Sequence, residues 1–153
     1  MLREQLKAAL KTAMIEKDSH KISTIRLILA AVKDRDIASR GTNKDGLISN
    51  DDILQLLQSM IKQRKDSIAM YTKGGRQDLV DSEQGEIDII QSFLPKQMDE
   101  QEIKTCVEDV VKSTGAAGLK DMGKVMAALR EQFAGQMDFG LASGIVKAIL
   151  AAK

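Results

Sequence analysis

Apolar residues recur along this chain at helical spacing with few interruptions. Leu2, Leu6, Ala9, Leu10, Ala13 and Met14 form a stripe that predicts a first helix over residues 2–17. Asp18 and Ser19 are ready caps for a second helix over 20–39, with Ile22, Ile25, Ile28, Leu29 and Val32 turned inward. A polar loop containing Gly41 and Gly46 follows. Ser49 with Asp52 then reads as the start of a third helix, whose inward positions are Ile53, Leu54, Leu57, Met60, Ile61, Ile68 and Tyr71. Gly74 and Gly75 stop it. A fourth helix is expected from about Asp78 to Leu94, because Pro95 disfavours helical geometry in the residue before it. Its early acids, Asp78, Asp81 and Glu83, suit the positive end of a helix.

After Pro95 the pattern restarts on a smaller scale. Asp99 and Glu102 make a capping-box pair ahead of Ile103, Cys106, Val107, Val110 and Val111. Gly115 and Gly118 turn the chain. Asp121 is expected to cap a helix carrying Met122, Val125, Met126, Leu129 and Phe133, and Asp138 to cap a last one carrying Leu141, Ile145, Val146, Ile149 and Leu150. Gly140 and Gly144 in that last helix read as positions of close packing inside the small unit. The fold class is therefore all-α, with two domains: an N-terminal helical domain of about four helices over residues 1–96, and a C-terminal three-helix bundle over 97–153.

Composition narrows the function. The 153 residues include one Pro, no Trp and only 3% aromatics, which removes the usual material of β-sandwiches and base-stacking platforms. One Cys and one His leave no conventional zinc or haem site, and no metal or other cofactor is expected. No run approaches the ~20 apolar residues that span a bilayer, so no membrane role is expected. Arg3, Glu4, Gln5 and Lys7 break up any apolar leader at the start, and the expected location is the cytoplasm. The net charge of +1 is unevenly spread. Residues 1–76 hold 15 Lys and Arg against 9 Asp and Glu, residues 77–111 hold 2 against 10, and residues 112–153 hold 6 against 3. Blocks of this size act through field and steering, and point to a polyanion or an acidic partner.

Motif candidates are few. Residues 41–52 resemble a calcium loop, with Asn43, Asp45, Gly46 and Ile48 well placed, but Gly41 stands where the first carboxylate belongs and Asp52 is shorter than the closing Glu. Residues 118–124 match P-loop spacing, yet Val125 follows where a hydroxyl should hold magnesium. Cys106 lies on an apolar stripe without an adjacent base, and His20 belongs to the other domain, so no catalytic residue is assigned. The basic candidates are more tangible. Lys62, Arg64 and Lys65 cluster in the third helix and Arg76 follows its end, while Lys120, Lys124, Arg130 and Lys147 are cations of the small unit. Recognition of RNA by shape needs cations that reach phosphates and 2′-hydroxyls, not aromatic stacking.

Four segments carry a family resemblance: Gln63-Arg64-Lys65-Asp66-Ser67-Ile68, Gly75-Arg76-Gln77-Asp78-Leu79-Val80, Phe93-Leu94-Pro95-Lys96-Gln97-Met98 and Asp121-Met122-Gly123-Lys124-Val125-Met126. In this order they resemble the YqeY family across essentially the whole chain. That family is similar to the C-terminal tail of GatB, a subunit of the glutamine-dependent tRNA amidotransferase. The resemblance implies an accessory module that binds tRNA, or that associates with an amidotransferase or a tRNA-synthetase-type protein. It also implies an alternative, a carbon–nitrogen ligase with glutamine as amido-N-donor. A third reading is a protein–protein adaptor that uses the acidic band of residues 78–109.

Overall fold

The computed structural model describes residues 1–153 and contains seven α-helices and no strand. In chain order they are α1 (Leu2–Glu16), α2 (Ser19–Ala38), α3 (Asn50–Lys73), α4 (Gln77–Gln91), α5 (Glu100–Thr114), α6 (Met122–Gln132) and α7 (Phe139–Ala151). The chain divides into two compact units, Met1–Pro95 and Lys96–Lys153.

In the N-terminal unit α1 and α2 form one helical hairpin and α3 and α4 another. The Lys17 backbone turns left-handed, φ 58°, to end α1, and the Asp18 side chain accepts from the Lys21 N–H to start α2. Leu2, Leu6, Ile28, Val32, Ile53, Leu56, Leu57, Met60, Ile61, Ile87 and Ile90 form the core. Leu56 is a core residue that the stripe reading omits, whereas Met14, expected inward, is 50% exposed. The loop between α2 and α3 is tied down by one carboxylate. Asp36 takes a bidentate fork from Arg3, at 2.7 and 2.9 Å, and accepts the Ile48 N–H at 2.9 Å. The Arg3 guanidinium holds the Asp36 carboxyl below the usual carboxylate range, with the Ile48 N–H adding to the effect against the opposing cost of burial.

Helix α3 starts on the expected capping box: Ser49 accepts the Asp52 N–H, and Asp52 accepts the Ser49 N–H. Helix α4 ends at Gln91, not Leu94. The chain turns out of the helix over Ser92 to Leu94, three residues before the geometry imposed by Pro95 is felt.

The C-terminal unit is a three-helix arrangement around Ile103, Val107, Val110, Val111, Val125, Met126, Leu129, Met137, Ala142, Val146 and Leu150. Met137, in the turn between α6 and α7, is completely buried. Asp99 and Glu102 close a second capping box, and Asp138 caps α7 by accepting the Gly140 and Leu141 N–H groups. Asp121 departs from expectation. A 3-10 turn over Leu119–Asp121 precedes α6, and the Asp121 carboxylate reaches back to the Ala117 N–H at 2.8 Å instead of capping the helix.

Candidate nucleic-acid interface

Four of the expected cations lie on the α3–α4 hairpin. Lys62 and Lys65 are exposed and carry no ion pair. Arg64 is committed: its Nε meets Glu86 Oε2 at 2.8 Å and one terminal nitrogen donates to the Met60 carbonyl at 3.1 Å, in a largely buried setting. Arg76 pairs with Asp78 at 3.1–3.2 Å just past the left-handed Gly75 turn, and its guanidinium lowers the Asp78 carboxyl. Opposite these cations, residues 77–91 carry five carboxylates and no Lys or Arg. The hairpin as a whole, residues 50–91, holds five cations against eight carboxylates, so it offers no long-range attraction to a polyanion.

In the C-terminal unit the four cations occupy a different setting. Lys120 on the 3-10 turn and Lys147 on α7 are exposed and free of ion pairs. The Lys124 ammonium donates to the Thr114 carbonyl at 3.0 Å, closing the C-terminal end of α5 where cations are favoured. Arg130 lies 6.0 Å over the Phe139 ring of α7, a cation–π distance. Since Lys124 reaches toward α5 and Arg130 toward α7, the two project from opposite flanks of α6. Two of the three acids from Leu119 onward are spent on backbone. Asp121 serves Ala117 N–H, which with the Gly118 N–H, Lys120 and Lys124 pulls its carboxyl low, and Asp138 caps α7. Glu131 alone remains uncommitted, so from Leu119 onward the cations outnumber the free carboxylates.

The two glycines of α7 differ from expectation. Gly144 is exposed with open space where a Cβ would stand, Gly123 likewise, and Gly140 meets only its own cap residue Asp138. They do not mediate close packing inside the unit.

Several motifs resolve into structural roles. In the calcium-like loop the Asn43 amide donates to the Leu47 carbonyl, Asp52 serves the α3 cap and nearby Asp36 serves Arg3. No group of three or more His, Cys, Asp and Glu is arranged to hold a metal ion. Cys106 is half-buried with its sulfur 3.8 Å from that of Met98; burial first, then Asp109 and Glu102, push the thiol up. His20 lies against Gly85 at the start of α2. A shallow depression lined by Met1, Leu2, Gln5, Asn50, Leu54 and Phe93 contains no titratable side chain. The α1–α2 pair, by contrast, carries cations that the motif reading passed over. Residues 1–40 hold nine Lys and Arg against five Asp and Glu, and the only signal for them was bulk charge.

Fold and surface define a class: an all-helical, two-unit protein whose charged chemistry lies on open helix faces. The chain belongs to the YqeY family, the model of Yqey-like proteins matching residues 3–150. It is 42% identical over 89 residues to altered inheritance of mitochondria protein 41, mitochondrial, of Saccharomyces cerevisiae, a stretch that covers 58% of this chain and 46% of that protein. The protein of the same name from Vanderwaltozyma polyspora is 36% identical over 123 residues, covering 76% of this chain and 64% of the relative. The chain thus matches only about half to two thirds of the length of these relatives. Their names call them mitochondrial, which overturns the cytoplasmic expectation. Compartment is set by address segments that a folded helical surface does not encode. No helix is long and apolar enough to cross a membrane.

Proposed function

We propose that the chain is a tRNA-binding accessory module, linked to glutamine-dependent tRNA amidation and associated with an amidotransferase or a tRNA-synthetase-type protein. The observation that carries this reading is the charge balance from Leu119 onward, where Lys120, Lys124, Arg130 and Lys147 stand against a single uncommitted carboxylate. Membership of the YqeY family and the resemblance to the GatB tail support it. Lys62 and Lys65 add free cations on α3, whereas Arg64 and Arg76 contribute mainly to the fold through Glu86 and Asp78. Cations on helix faces track phosphates without reading bases, so binding is expected to be shape-selective and strongly salt-dependent.

Mobility-shift titration of the full chain with total tRNA at two salt concentrations tests the reading. Saturable binding at low salt, weakened at least tenfold in the Lys120→Ala/Lys147→Ala variant, is the expected result. Absence of saturable binding at low salt, or no effect of the double substitution, overturns it. Ammonia release from glutamine by the purified chain, measured on the same preparation, reads out the ligase alternative.

A further inference from the structure

The Arg3–Asp36 fork fixes how α1 and α2 face each other. It marks the flank of each helix that meets the other and sets their antiparallel register. On the far flank of α2, His20 lies against Gly85 of α4, so that side is closed. The seam between α1 and α2 is open on its outer side. Leu10 and Leu29, level with each other in that register and half-buried, make its floor.

The walls of the seam are basic. One turn on from Arg3, Lys7 comes level with Lys33, one turn back from Asp36. A turn further along, Lys11 comes within two residues of the level of Arg26. All four are exposed. Glu4 pairs with Lys7 at 3.3 Å, both side chains wide open to water, and Lys11, Arg26 and Lys33 take part in no ion pair. Like charges thus face each other twice across one seam, an arrangement that an anionic occupant relieves. Glu4 and Asp34 sit further out, on the crests of the two helices.

Apolar side chains share these walls. Met14 on α1 is 50% exposed and Ile37 on α2 is 46% exposed, with exposed Ala30 between Lys33 and Arg26. A polynucleotide laid in the seam neutralises the cations but sets phosphates against Met14 and Ile37. An amphipathic helix satisfies both features at once, its apolar stripe on the floor and its flanking acids on the walls. Arg26 and Lys33 are seven residues apart, about 10 Å along α2, which is the repeat that a facing helix presents.

We propose that the outer α1–α2 seam is a docking site for an acidic amphipathic helix of a partner protein. The site uses none of the cations from Leu119 onward and is independent of the tRNA reading.

Fluorescence anisotropy on the full chain tests it with two labelled synthetic helices of three heptads. Both carry Leu at the apolar positions; one has Glu on the flanks and the other Lys. The expected result is saturable binding of the Glu peptide, about tenfold tighter than the Lys peptide and weakened by salt. The Lys11→Glu/Arg26→Glu variant is expected to reverse that preference. A wild-type chain that binds neither peptide, or both alike, overturns the proposal, and so does a preference that the variant leaves unchanged. Total tRNA that displaces the Glu peptide from the wild type and from the Lys120→Ala/Lys147→Ala variant alike also overturns it, giving the seam to a polynucleotide. Should the charge-reversed variant lose its helical circular dichroism, Lys11→Gln/Lys33→Gln is read in its place. Glu-peptide binding that this neutral variant fails to weaken overturns the proposal.

Discussion

At the residue scale, Asp36 is the side chain on which most local structure converges. It is shielded from water and joins α1, α2 and the loop before α3 through Arg3 and Ile48. Removing the carboxylate charge leaves the Arg3 guanidinium short of its partner, and Asp36→Asn is expected to cost about 2–3 kcal/mol in urea unfolding. The folded-state pKa of Asp36 lies below the unfolded one, so its contribution is fully present above the unfolded carboxylate value, about 4. It fades as pH falls through the folded value. Stability measured from pH 6 downward should therefore drop less steeply in Asp36→Asn than in the parent. Gly144 gives the opposite sign. It sits mid-helix, exposed, with nothing within reach of an added Cβ. Gly144→Ala is expected to raise stability by about 0.5–1 kcal/mol, read as a higher midpoint in thermal unfolding.

At the scale of elements, the helices most legible in the sequence are those whose ends are decided within a few residues. The Ser49–Asp52 and Asp99–Glu102 boxes place α3 and α5, and both form as the spacing predicts. Ser49→Ala should cost about 1 kcal/mol, with early loss of amide protection confined to the first turn of α3. Asp121 stands at the N-cap position of α6 as the spacing predicts, but two sets of donors compete for its carboxylate, the helix amides ahead and the Ala117 N–H behind, and the second wins. The end of α4 was misread because a proline restricts only its immediate neighbour and does not compel the helix to run up to it. Ion pairs across helices were not legible. Arg3 and Asp36 are 33 residues apart and Arg64 and Glu86 are 22 apart, so only the fold reveals that these cations are occupied. The candidate interface was accordingly legible as a set of cations but not as a surface. Sequence names Lys124 and Arg130 alike, yet one closes α5 and the other stacks on α7.

At the scale of the molecule, helical period and composition were enough for the all-α class, because aromatic-poor, Ala- and Leu-rich stripes leave little else to build. Compartment was not, since it is no property of the packed surface. The two cores also distribute sulfur unequally. Met1, Met14 and Met70 are exposed, while Met60, Met126 and Met137 are buried. Peroxide should therefore convert the first three to sulfoxides within the folded protein, with peptide masses showing Met137 as the last to react. Because Met137 holds the α6–α7 turn from inside, a polar oxygen on its sulfur is incompatible with that packing. Its appearance in a digest would date the moment at which the C-terminal bundle opened, making this one thioether a chemical clock for unfolding.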